Sequence, residues 1–426
     1  MDAEYVETVI IGAGHQGCGV AGALQQWGCD AVVVERADIG QAWAHERWDS
    51  LRVGSGNQSI RLPGWDYDGD DPLGLPSGPQ VADYLRRYVA TRDLRVLQHT
   101  PVHLVEAPAP TWDGEPVRFR THVDGGSIIE SRNVVAATGG YARPRIPDLA
   151  STIDPSVHQL HSRYYRNPRT LPDGSVLVVG AGISGQQIAD ELVDAGRDVF
   201  VAVGRHRAWP GFYRGHDIHE WIRVFSLFDD FVTPEPELAE GRDPARLPGL
   251  PVNGLNGSEL NLGTLADKGA TLIGSIRAAH GHILGLADNV VEIAEQSARS
   301  FQRILDKIDA GIGQRGFVAP VQSPPPRVNT DRVKNFGPEF DLVAHGVGTI
   351  IWCTGFGPDY RILPANALDE EWHPIADKGI VGSIPGLYYA GLPDGNSLAL
   401  TSLAASSQTG PFIAQQIHWD HISRTQ

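Results

Sequence analysis

Residues 8–36 read TVIIGAGHQGCGVAGALQQWGCDAVVVER, and residues 175–205 read SVLVVGAGISGQQIADELVDAGRDVFVAVGR. Each stretch opens with a short apolar run, Val9 to Ile11 in one and Val176 to Val179 in the other. A glycine turn follows, then a helix-like stretch, then a second apolar run, Ala31 to Val34 and Val199 to Val203. Unbroken apolar runs of this length suit strands buried on both faces of a parallel sheet. Each copy therefore predicts strand–turn–helix–strand, and the repetition predicts two such units in one chain.

The turns carry GxGxxG at Gly12, Gly14 and Gly17, and again at Gly180, Gly182 and Gly185. In this setting the first glycine permits the tight turn and the second lets backbone approach a pyrophosphate. The third lets helix and strand pack closely. Helix N-terminal amides then face the anion. The residue ending the next strand separates the ligands. Glu35 ends it in the first copy, where a carboxylate accepts hydrogen bonds from a ribose diol and repels a 2′-phosphate. The matching position in the second copy is Val203, with Arg205 two residues on. A cation there suits the 2′-phosphate of NADPH. The repeat thus reads as an FAD site followed by an NADPH site, with Arg207 and Arg214 as further cations near the second. The plainer readings are a solvated Glu35 and a surface Arg205.

Two more segments match each other. Residues 133–140 (NVVAATGG) and 349–357 (TIIWCTGFG) are strand-like and end in Thr138-Gly139 and Thr354-Gly355. A small residue and a glycine at a strand end allow close approach of a ligand or a crossover between domains. Residues 386–393 (GLYYAGLP) read as a closing strand. Leu286 to Ile312 has no proline and helical apolar spacing, so it predicts a long helix, and QSPPPR at 322–327 predicts a linker. The expected fold is α/β, with two Rossmann-like, doubly wound, three-layer dinucleotide-binding domains. The second glycine motif lies between the two Thr-Gly strands. This predicts an FAD domain in two parts, 1–155 and 329–426, with an NADPH domain at 156–328 inserted between them.

Composition bounds the partners. The chain has 426 residues, 41% of them hydrophobic, enough for two or three self-supporting domains. Acidic residues outnumber basic ones 51 to 35, for a net charge of −16, which disfavours nucleic acid and anionic membranes. No apolar run reaches the length of about 18 residues that spans a bilayer, and Met1 to Val6 is acidic where a secretion signal would be basic. A cytoplasmic protein is expected, with a homodimer open. Cys18, Cys29 and Cys353 form no CxxC pair, against a dithiol centre. No metal-ligand spacing or GxSxG elbow is present.

These residues resemble the flavin-containing monooxygenases, most of all the bacterial single-component group, and the resemblance covers nearly the whole chain. Its more specific parts are residues 43–64 (WAHERWDSLRVGSGNQSIRLPG) and 203–222 (VGRHRAWPGFYRGHDIHEWI). The family fingerprint FxGxxxHxxx(Y/F) is half present: His161 and Tyr165 fit, but Pro155 and Val157 stand where Phe and Gly belong. Tyr165 in place of Trp argues against a Baeyer–Villiger enzyme. The resemblance implies FAD and NADPH as cofactors, and O2 and a small molecule as substrates. It implies oxygenation of nitrogen or sulfur through a C4a-(hydro)peroxyflavin. It places Asn57, with Gln58 as fallback, near the flavin ring as the catalytic amide, and Trp43 and Arg47 in the flavin pocket. Asn57 also fits a plain turn and Trp43 fits core packing, while the family's histidine, here His161, supports domain geometry. Seven aromatics between Trp209 and Phe231 read as small-domain core, or as a substrate wall. An NADPH oxidase or reductase, and a non-catalytic flavin redox sensor, are the competing readings.

Overall fold

The computed structural model describes residues 4–107, 117–204, 206–225, 252–254, 257–321, 329–378, 380–392, 403 and 406–425. The chain begins β1 (Glu4–Ile11), α1 (His15–Gln26), β2 (Ala31–Val34), α2 (Gln41–His45), α3 (Gly78–Thr91) and β3 (Val96–Leu97). β4 (Val102–Glu106), β5 (Phe119–Val123), β6 (Ile128–Ala136), β7 (Arg143–Pro144) and β8 (His158–His161) follow. The second glycine unit is β9 (Ser175–Val179), α4 (Ile183–Asp194) and β10 (Val199–Ala202). Next come β11 (Phe212–Tyr213), β12 (His216–Asp217), α5 (Ile218–Phe225), α6 (Leu262–Lys268) and β13 (Thr271–Ile273). β14 (Ile276–His280), β15 (Ile283–Leu286), α7 (Val290–Arg315), β16 (Glu339–Asp341) and β17 (Val347–Trp352) lead to β18 (Phe356–Gly357). The last elements are β19 (Ala376–Asp377), β20 (Val381–Gly382), β21 (Leu387–Tyr389) and α8 (Ser406–Thr425).

Two sheets hold the glycine loops. In the first, the order β21-β6-β1-β2-β3 is parallel; in the second, so is β13-β10-β9-β17-β8. The same plan repeats. The strand feeding each glycine turn lies between the strand after its helix and the strand ending in Thr-Gly. Thus Ile10 is in register with Val33 and Val135, and Val178 with Val201 and Ile351. These central residues are buried on both faces, which is why the sequence runs apolar without alternation.

The topology moves one expected boundary. The sequence reading places residues 329–352 with the returning part of the first domain, yet β16 pairs with β15, and β17 inserts between β9 and β8 of the second sheet. Each Thr-Gly strand completes the sheet of the glycine loop that precedes it, so the chain returns only after Trp352. Both crossings then meet in a ribbon: Phe356 pairs with Pro144 and Gly357 with Arg143, and the Arg145 N–H donates to the Gly355 carbonyl at 2.9 Å. The 322–327 linker lies outside the described residues.

Helices cover the first sheet through close contacts. α1 and α8 share a core of Leu24, Ile413, Ala414 and Ile417 with Tyr88 of α3. Gly22 makes the approach possible, since a Cβ there would lie 1.8 Å from the Tyr88 hydroxyl. α3 starts at a capping box between Ser77 and Gln80, which satisfies two N-terminal amides. The long helix exists but starts at Val290, because Ile283–Leu286 is taken as a strand between β14 and β16. Its apolar face, Phe301, Ile304, Leu305 and Ile308, packs on Trp209, Tyr213, Trp221 and Phe225. Those aromatics are core and none lines the cavity described below. Phe228 and Phe231 lie outside the described residues.

Candidate active site

The two glycine loops are built alike. Gly12 has φ +109° and Gly180 φ +107°, and a Cβ would sit 2.6 Å from the Ala137 carbonyl oxygen at the first and 2.5 Å from that of Cys353 at the second. Each loop is thus pressed against the strand end before its Thr-Gly pair. A Cβ on Gly17 would lie 1.9 Å from the Gly12 oxygen, and one on Gly185 would lie 1.8 Å from the Gly180 oxygen. These third glycines set the helix-to-loop contact and do not line the cavity. Gly14 and Gly182 differ: a Cβ on either would meet no atom within 4 Å.

That open space is one cavity of about 1050 Å³. Gly12, Gly14, Glu35, Trp43, Arg47, Thr138 and Gly139 line it from the first unit. Gly180, Gly182, Thr354 and Gly355 line it from the second. The Glu35 carboxylate accepts the Ala13 N–H at 2.7 Å and the Ala37 N–H at 3.1 Å, tying the loop to the end of β2 while keeping further lone pairs. Arg47, on the turn after α2, lies 5.1 Å from the Tyr141 ring centroid, 5.7 Å from Trp43 and 5.8 Å from Phe356. Burial lowers its pKa, and its Nη1 donates to the Glu46 carbonyl at 2.9 Å. Trp43 therefore packs on a cavity cation rather than serving as core alone. The Thr354 hydroxyl donates to the Arg145 carbonyl in the crossover ribbon.

Asn57 and Gln58 are not brought to this cavity. The Asn57 amide donates to the Asp71 carbonyl at 2.9 Å, its N–H goes to Gly74, and the Gln58 N–H goes to Pro72. The Gly/Ser/Asn loop folds as a 3₁₀ turn sewn to residues 67–74, which is the geometry of the turn reading. This loop is held from the second unit by Asp217. That buried carboxylate accepts from the Gly56 N–H at 3.2 Å, the Glu220 N–H at 3.0 Å and the Ser59 hydroxyl.

The half-fingerprint is structural. His161 donates from Nε2 to the Gly355 carbonyl at 2.9 Å and accepts the Arg163 N–H at Nδ1 at 3.1 Å, fixing one neutral tautomer. Burial lowers its pKa in the same sense. The Tyr165 hydroxyl donates to Glu191 of α4 at 2.7 Å. Together they fasten the crossover to the second glycine unit. Arg205 lies outside the described residues. Arg214 is engaged with Asp309 at 2.7 Å, whereas Arg207 lines the cavity.

Sequence reasoning passed over His15, Gln186 and His206, which also line the cavity. Both nitrogens of His15, Oγ1 of Thr138, Oε1 of Gln186 and Nε2 of His206 are buried without a hydrogen-bond partner. These atoms flank the two glycine loops, beside glycines whose missing Cβ leaves a cradle, so the residues fit a dinucleotide at each loop. All three cysteines are free thiols, and burial pushes Cys18 up to about 12 and raises Cys353 as well.

Comparison with known proteins agrees with this geometry. An uncharacterised CzcO-like oxidoreductase from Geobacillus kaustophilus is 29% identical over 91% of each chain. The indole-3-pyruvate monooxygenase YUCCA1 of Oryza sativa subsp. japonica is 29% identical over 50% of this chain and 48% of its own length. A double mutant of the flavin monooxygenase from Stenotrophomonas maltophilia shares the fold. Its TM-score is 0.65 at 20% identity, covering 98% of this chain and 99% of that one. The resemblance to flavin-containing monooxygenases thus holds in architecture from end to end. The profile of the pyridine nucleotide-disulphide oxidoreductases matches residues 9–223, just over half of the chain and including both glycine loops. The chain belongs to the pyridine nucleotide-disulphide oxidoreductase family.

Proposed function

We propose that the chain is an FAD-dependent monooxygenase, reduced by NADPH, that places one oxygen atom of O2 on a nitrogen or sulfur of a small molecule. The observation that carries this reading is the single cavity onto which both glycine loops open. Electron transfer between two dinucleotides needs such a shared wall. The first loop and the α1 amides hold the FAD pyrophosphate, with Glu35 accepting from the ribose hydroxyls. The second loop and the α4 amides hold NADPH, with Val203 in place of an acid and Arg205 and Arg207 supplying positive charge for the 2′-phosphate. The inserted unit lies between the two strands of the β7–β18 ribbon, from Arg145 to Gly355, following the strand pairing.

When bound and reduced, the flavin supplies the electrons that activate O2 for a soft nucleophile. The protein's own part is positioning and exclusion of water. Trp43, Tyr141 and Phe356 pack around Arg47 on the wall between the loops, and the β7–β18 ribbon holds that wall in register. The test is oxygen accounting. The flavin-loaded protein, NADPH and ¹⁸O2 are mixed with a panel of amines and thioethers. The reading requires one ¹⁸O in the product and NADPH consumption matched to it. Hydrogen peroxide formed in step with NADPH whatever the substrate indicates an oxidase. A flavin that NADPH leaves oxidised indicates a sensor.

A further inference from the structure

His15 follows Gly14 directly and opens α1. It is 4% exposed, lines the cavity and has neither ring nitrogen paired. Its ring stacks on Tyr84 at 16° with centroids 6.5 Å apart. A neutral imidazole has one donor and one acceptor, and leaving such a buried group unsatisfied costs about 1–3 kcal/mol. α1 itself has Gly14 at its N-cap and so no side-chain cap there. Burial pushes the imidazole down to about 3 with no charged side chain contributing, so it is neutral at pH 7.

The titratable groups around this loop have their own partners or are held neutral. On α1, the Cys18 thiol donates to the Ala13 carbonyl and is pushed up to about 12 by burial. Glu35, at the end of β2, holds the Ala13 and Ala37 amides. On α3, burial raises Tyr84 and Tyr88, whose hydroxyls donate to the Trp65 and Pro63 carbonyls. None of these bonds the ring.

We propose that His15 completes an anion site at the first glycine loop: its imidazole hydrogen-bonds the phosphate-bearing ligand held there and takes up a proton as that ligand binds. The proposal rests on the FAD reading of this loop. The step is binding alone, in which one proton moves from solvent to the ring and no covalent bond changes in the ligand. The bound phosphate favours the charged imidazole, so the bound-state pKa moves up from the free-state value. Between the two values binding strengthens as pH falls, approaching about tenfold per pH unit, and above the bound-state value it levels off.

The experiment is calorimetric titration of FAD into apoprotein from pH 5.5 to 8.5, in two buffers of different ionisation enthalpy. The wild type should take up a proton at the acid end, with Kd falling about tenfold per pH unit there. His15→Gln, which keeps a hydrogen-bond donor without titrating, should bind FAD with no proton uptake and a flat profile. Equal slopes and equal uptake in the two proteins overturn the proposal. So does tight, pH-independent FAD binding by the wild type alone, which needs no variant to fold and leaves the FAD reading standing. Absence of FAD binding by the wild type overturns both.

Discussion

The second and third glycines of the first motif separate ligand binding from folding. Gly14 is extended, at φ −81° and ψ −174°, and a Cβ there meets nothing within 4 Å. A β-branched residue adopts that backbone readily, so Gly14→Val should cost the fold only the loss of a favoured N-cap glycine, up to about 1 kcal/mol. Its side chain fills the cradle, however. If two charge-assisted contacts to the pyrophosphate are lost, at about 1.5–3 kcal/mol each, FAD binding weakens by about 10²- to 10⁴-fold. Gly17→Ala does the reverse. Its Cβ would lie 1.9 Å from the Gly12 oxygen, far inside ordinary contact distance. Overpacking of that kind costs about 1–3 kcal/mol, more than the ~1 kcal/mol a helix gains from Ala over Gly. Thermal unfolding of the apoproteins and fluorescence titration with FAD read the two effects separately. Gly14→Val purified yellow at wild-type stoichiometry, or apo Gly17→Ala melting with the wild type, refutes the reasoning.

Gly182→Val should mirror Gly14→Val at the other loop, leaving flavin content unchanged while raising the NADPH concentration for half-maximal flavin reduction at least about tenfold, since a charge-assisted contact is lost. Arg205→Ala should weaken NADPH binding about 10- to 150-fold and leave NADH nearly unaffected; equal losses would make Arg205 a general surface residue. Asp217→Ala strands the Gly56 N–H and the Ser59 hydroxyl, each at about 1–3 kcal/mol, and should lower the melting temperature. Burial alone would raise the Asp217 pKa, but His219, Ser59 and the Glu220 amide outweigh it, and the net is lowered. Its stabilisation is therefore present at neutral pH and fades as pH falls through and below the ordinary carboxylate range of about 4, so wild type and Asp217→Ala should converge in acid.

Both glycine units and both Thr-Gly strands were legible in the sequence because burial on two faces leaves unbroken apolar runs ending in a small residue. Strand pairing was not legible. Nothing local in residues 347–352 says which sheet they join, and only the register with β9 and β8 places β17. The long helix starts later than its apolar spacing suggests because Leu286, which fits either period, ends a strand. Asn57 carries one signal for two roles, because a turn-forming amide and a catalytic one look the same in sequence. Its partners, at 67–74, are set by the fold. His15 and His206 carried no signal at all, since a histidine's burial and missing partners exist only in three dimensions.

The shared cavity is tested most directly by anaerobic mixing of flavin-loaded protein with NADPH while flavin absorbance is followed. The account predicts that the oxidised-flavin band bleaches in a single turnover, at a rate that saturates with NADPH concentration. It also predicts that Gly182→Val shifts the half-saturating concentration without changing the amount of flavin bleached. A flavin that stays oxidised at saturating NADPH, or bleaching that Gly182→Val leaves untouched, would contradict the claim that both nucleotides meet in this cavity.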